Sequence, residues 1–149
     1  MRTQHLAFLS LASILVFSAC ASATPATSET GSESTSVLAT SVEDIVGSWS
    51  PLPGELYYEF NGDGTYATGN VVGNGNRVPG VKGTLQFDGT RVTLLETENN
   101  GDRLFQPCGD TPGIYEVQLL AGDALQFIKI EDECVGRYAT LSIPLDKLP

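Results

Sequence analysis

The feature that most limits the fold is a series of short alternating segments separated by Gly/Asp turns. Leu56–Phe60 places Leu56, Tyr58 and Phe60 on one face. Asn61-Gly62-Asp63-Gly64 is a hairpin signal, and Thr65–Val71 returns. Val81–Phe87 groups Val81, Gly83, Leu85 and Phe87; Asp88-Gly89 turns the chain, and Arg91–Thr97 returns with Val92 and Leu94 together. Ile114–Leu120 groups Tyr115, Val117 and Leu119 before Ala121-Gly122-Asp123 leads into Ala124–Ile130. Short strands are predicted at Gly47–Ser50 and Arg103–Gln106, and a last one at Tyr138–Ile143 before Pro144. The strand residues do not match one another, so the hairpins are not a sequence repeat. Antiparallel strands in that number, roughly eight or nine, escape exposed edges by closing. The predicted fold is all-β, a small antiparallel up-and-down β-barrel with one short N-terminal helical turn. That turn starts at Ser41, a helix N-cap residue followed by Glu43 and Asp44, and stops at Gly47.

The N-terminus has a different texture. Arg2 precedes an apolar run from Leu6 to Phe17, the pattern of a secretory signal peptide. The run falls short of the roughly 20 apolar residues of a spanning helix. Ser18 and Ala19 before Cys20 resemble a bacterial lipobox, with Phe17 where leucine is usual. That resemblance implies cleavage before Cys20 and a diacylglycerol on its thiol. Cleavage after Ala23, at Ala21-Ser22-Ala23, is the alternative and would give a plainly secreted protein. Residues 1–19 are then a lipoprotein signal peptide and 20–40 the lipidated cysteine with a flexible Ser/Thr-rich tether, leaving 41–149 as the folded domain. The expected location is exported, lipid-anchored to the bacterial cell membrane or outer membrane. Two or three acyl chains satisfy the requirement for stable anchoring.

Charge and side-chain inventory exclude several functions. Eighteen acidic against 8 basic residues give a net charge of −10, with no Lys/Arg cluster to bind nucleic acid. The single histidine is His5, inside the signal segment, so the folded part has no imidazole for a triad or a metal. No Gly-x-Ser-x-Gly and no phosphate-cradling loop occurs, and an enzyme is not expected. The acidic stretches Glu96–Asp102 and Glu131–Glu133 read as solvated loops rather than calcium sites, and neither metal nor cofactor is expected. Gly73-Asn74-Gly75-Asn76 reads as a turn or rim loop. With Cys20 acylated, Cys108 and Cys134 remain, and in an exported chain a disulfide is their default fate. On the chain-entropy estimate such a bridge contributes roughly 3–4 kcal/mol.

Asp44-Ile45-Val46-Gly47-Ser48-Trp49, a helical turn running into Gly-x-Trp, resembles the opening signature of lipocalins and their calycin relatives. Tyr57 to Tyr66 looks like the next hairpin of bacterial lipocalin-like proteins, and the resemblance spans about residues 42–143. It implies that Gly47 and Trp49 close one end of the barrel and that Arg137 lies across the indole face. Such a stack contributes about 0.5–2 kcal/mol. Arg137 as a solvated loop residue is the alternative. A monomer is expected, and the resemblance further implies binding of a small apolar or amphiphilic ligand. Alternation would line the site with Tyr58, Phe60, Leu85, Phe87, Leu94, Tyr115 and Val117. The same seven residues fit a packed core equally, since eight strands enclose just enough space for their own side chains or one small ligand. A filled barrel would act as an interaction or protease-inhibitor module of the cell envelope, through its Asn70–Pro79 and Glu96–Asp102 loops. Biotin-binding barrels open similarly but use several tryptophans, whereas this chain has only Trp49.

Overall fold

Alternating segments joined by tight turns can satisfy their backbone polar groups only by pairing sideways, and here the pairing runs in a circle. The computed structural model describes residues 36–101 and 105–149. The strands are β1 (Val37–Leu38), β2 (Gly47–Ser50), β3 (Leu56–Phe60), β4 (Thr65–Val72), β5 (Asn76–Asp88), β6 (Arg91–Asn99), β7 (Gly113–Leu120), β8 (Ala124–Glu131) and β9 (Leu145–Lys147). A 3₁₀ turn at Val42–Asp44 precedes β2, and one α-helix, α1 (Val135–Leu141), lies between β8 and β9. All pairings are antiparallel, in the order β1-β7-β6-β5-β4-β3-β2-β9-β8, and the further β7–β8 pairing closes the sheet on itself.

The three expected hairpins are β3–β4, β5–β6 and β7–β8, with Phe60 opposite Tyr66, Asp88 opposite Arg91 and Leu120 opposite Ala124. Between β4 and β5 the chain does not form a rim loop. The strands run on as a fourth hairpin that turns at Asn74-Gly75, both at positive φ (60° and 80°). That is the backbone requirement of a type I′ turn and the reason Asn-Gly suits it. Inward positions carry the core: Tyr58, Phe60, Tyr66, Leu85, Val92, Leu94, Tyr115, Val117, Leu125 and Phe127. Phe60 lies 5.6 Å from Phe127 between ring centroids, and Tyr115 meets Phe127 edge-on at 5.7 Å.

Two predicted boundaries move. Residues 138–143 are not a strand. Val135–Leu141 is helical, and the closing strand is β9, which begins four residues after the helix ends. Tyr-Ala-Thr-Leu-Ser-Ile alternates well enough to mislead, but burial falls on Arg137 and Leu141, one helical turn apart. Pro144 then disfavours helix at Ile143 and returns the chain to extended geometry. The folded part also begins before Ser41. Val37 and Leu38 pair with Leu119 and Gln118 of β7, and Ala39 is fully buried with its amide donating to the Val117 carbonyl at 2.8 Å. β6 covers β7 only from Gly113 to Glu116, and β1 takes up the edge beyond it.

The signal segment, Cys20, the tether up to residue 35 and the Arg103 end of the Arg103–Gln106 strand lie outside the described residues; Phe105–Gln106 is not a strand. Cys108 and Cys134 stand at disulfide distance, with Cα atoms 5.3 Å apart. Replacing both with serine is expected to lower stability by about 3 kcal/mol. Urea denaturation of the variant and of the parent, with and without reductant, checks this. A parent whose midpoint ignores reductant would remove the bridge's role.

Candidate functional site

The inward residues of three adjacent strands form one wall of a cavity of about 260 Å³. β3 supplies Leu56 and Tyr58, β4 supplies Tyr66, Thr68 and Asn70, and β5 supplies Val81. Register makes these one surface: Leu56 faces Asn70, Tyr58 faces Thr68, and Thr68 faces Val81. The opposite wall is a cap of two pieces, the segment carrying Phe105, Gln106 and Cys108, and the α1 residues Gly136, Arg137 and Thr140. Cys108 sits in one piece and Cys134, at the head of α1, in the other, so the bridge joins the cap to itself. The Tyr58 hydroxyl meets the Thr140 hydroxyl and ties α1 to β3. Phe105 can lie against β5 because residue 80 has no side chain; a Cβ there would overlap the phenyl ring.

Beneath the cap lies an ion pair. Arg137 Nε donates to Asp132 Oδ2 at 2.7 Å and Nη2 donates to Oδ1 at 2.8 Å, with both side chains almost wholly out of solvent. Asp132 also accepts from the Tyr115 hydroxyl and, at 2.7 Å, from the Cys134 amide. Arg137 Nη2 donates in addition to the Thr111 carbonyl at 2.9 Å, linking the two cap pieces a second time. Gly113 makes room for the pair, since a Cβ at that position would stand 2.5 Å from Asp132 Oδ2 and 2.7 Å from Arg137 Nε. Arg137 Nη1 has no partner, the one such buried side-chain polar atom among the described residues.

Burial alone would raise the Asp132 carboxyl, but the hydrogen bonds from Arg137, Tyr115 and Cys134 outweigh it and hold the group below its ordinary range. Burial likewise opposes the Arg137 charge, and the Asp132 carboxylate overcomes this and raises its pKa. Burial pushes Tyr66 up to about 12, with the Arg137 charge pulling partly the other way. Tyr115 rises through burial and through its bond to the Asp132 carboxylate. Arg137 is therefore charged, and both tyrosines are neutral, throughout the physiological range.

Of the seven residues read as lining a ligand site, only Tyr58 borders this cavity. Phe60, Leu85, Leu94, Tyr115 and Val117 are packed core, and Phe87 leans half-buried against it. Trp49 is 5% exposed, and its Nε1 donates to the Ile45 carbonyl at 2.8 Å, pinning β2 to the 3₁₀ turn. Gly47, at φ 134°, begins β2. The expected stack on the indole is not made by Arg137, which is held by Asp132. The cation over Trp49 is Lys147 of β9, with Nζ 5.4 Å from the ring. Asp132, Gly113, Gly80, Phe105 and Thr140 escaped sequence reasoning. Asp132 stands in the acidic run Glu131–Glu133 read above as a solvated loop, but the structure buries it on Arg137, five residues on, a pairing the sequence does not mark until α1 is known.

Among the described residues no three His, Cys, Asp or Glu side chains are placed to hold a metal ion. No described helix is long and apolar enough to cross a membrane. Comparison with protein-family models, with characterised proteins and with solved structures returns no match.

Removing one member of a buried pair leaves the other charge stranded, at a cost of about 3–5 kcal/mol. Asp132→Asn is expected to lose that much at neutral pH. Because the folded pKa of Asp132 lies below its unfolded value, its contribution is complete above about pH 4 and fades as pH falls through the folded value. The variant's stability should therefore decline less steeply in acid than the parent's. Denaturation midpoints at neutral pH and at about pH 3 decide it, and parallel acid slopes would count against the assignment.

Proposed function

We propose that the chain is an exported lipoprotein, anchored through Cys20, whose closed sheet is a lipocalin-like barrel holding one small apolar or amphiphilic molecule. The observation that carries the reading is the cavity bounded by Leu56, Tyr58, Tyr66, Val81 and Phe105, under a cap stapled by Cys108 and Cys134. Aromatic and aliphatic walls with a few polar groups are the general make-up of small-molecule sites. At about 260 Å³ the space is below the usual range of about 300–1,000 Å³, so the ligand would be small. The signal-like segment and the lipobox-like Ser18-Ala19-Cys20 support the anchored location.

A second reading is favoured by the packing of Phe60, Tyr115 and Phe127 across the interior of the ring. In it the domain is an interaction or inhibitor module, and the projecting β4–β5 hairpin tip is its contact surface.

Titration with the neutral fluorophore phenylnaphthylamine separates the two. Saturable enhancement at one site is expected. Gly136→Leu, which sets a side chain into the cavity from α1 without a glycine's helix penalty, should weaken binding by about tenfold or more with the melting temperature retained. An equal response from parent and variant would place the fluorophore elsewhere and favour the module.

A further inference from the structure

We infer that Arg137 is the polar anchor of the cavity, and that the preferred occupant is an uncharged molecule with an apolar body and one hydrogen-bond acceptor, such as a ketone, ester or alcohol. This rests on the ligand-binding reading above and narrows the ligand class.

Three observations combine. Arg137 is 7% exposed and lines the cavity. Nε and Nη2, on one edge of the guanidinium, are spent on Asp132 and Thr111, while Nη1, on the other edge, is buried without a partner. A buried donor left unmade is costly, and one to a charged group is worth more than an ordinary hydrogen bond when completed. The Tyr66 hydroxyl shares this space; burial raises its pKa, and the Arg137 charge and side-chain hydrogen bonding to the guanidinium pull it down, yet Nη1 itself has no partner at full hydrogen-bond geometry. An incoming acceptor would supply the missing partner.

The charge of that acceptor follows from the neighbours. Asp132 already balances Arg137, so the pair has no net charge to offer an anion. Glu55 and Glu96 border the same cavity, and Glu96 is fixed there by accepting from the Cys108 amide at 3.1 Å. A carboxylate ligand would meet those acids with no spare cation to neutralise it. A carbonyl or hydroxyl oxygen takes the Nη1 hydrogen bond without that repulsion. Leu56, Tyr58, Val81 and Phe105 receive the apolar remainder.

The test displaces phenylnaphthylamine from the parent protein with three probes of equal chain length: decane, methyl octyl ketone and decanoate. The ketone should displace at about tenfold lower concentration than decane, as expected of one charge-assisted hydrogen bond. Decanoate should be weaker than the ketone. In Arg137→Lys, which keeps a cation for Asp132 but loses the second edge, the ketone's advantage over decane should disappear. Ketone and decane binding equally to the parent would overturn the anchor while leaving the cavity as an apolar site. Decanoate binding most tightly would overturn the neutral-ligand assignment. Failure of fluorophore and all three probes to bind would overturn the ligand reading itself. The parent series decides each of these even where Arg137→Lys does not fold.

Discussion

Arg137 and Asp132 are both removed from water, and the penalty for burying two ions, several kcal/mol each, is offset only when geometry and hydrogen bonding are nearly complete. Here the carboxylate accepts from Arg137 twice, from Tyr115 and from the Cys134 amide. The donors come from one firmly paired strand and from α1 with its N-cap residue. Tyr115 belongs to β7, Cys134 opens α1, and Arg137 crosses to Thr111 in the segment before β7. The pair thus sets where the helix starts and where the cap lies. It also explains Gly113, whose missing Cβ is the space the pair occupies. The disulfide acts on the same two pieces and makes their separation costly in the folded state as well as in the unfolded one.

Alternation made β3 to β8 legible because each of those strands turns one face to the core, which imposes period two. The Gly/Asp turns marked the hairpins for the same local reason. Elements held by distant partners left no such trace. α1 is too short for a helical period to emerge and has no side-chain N-cap hydrogen bond; its support is Asp132, Cys134 and Tyr58. β1 contributes two residues through backbone pairing, which any side chain permits. Gly80 and Gly113 are required by Phe105 and by the ion pair, neither adjacent in the chain. Tyr58 and Phe60 stand two apart on one strand, yet one borders the cavity and the other is packed core. Alternation reports which face a side chain takes, not what lies beyond it.

The position of the cavity follows from where the hydrogen-bonded ring is thinnest. β9 spans three residues and pairs only with Trp49–Ser50 of β2 and Ala124–Leu125 of β8. Beyond those pairs the rest of β8 has its ladder with β7 alone, and α1 fills the gap toward β3. The helix is tied to β8 by Lys129, whose Nζ lies 3.9 Å from the Tyr138 ring, and to β3 by the Tyr58–Thr140 contact. Facing the ring from α1 are Gly136 and Thr140, small residues that leave space where a strand bearing Leu or Phe would have closed it. A ring of this size has just enough interior for its own side chains, and Phe60, Tyr115 and Phe127 pack across it. Room for anything else arises because a short helix with a glycine, and an arginine committed on one edge only, stands in for the missing stretch of strand.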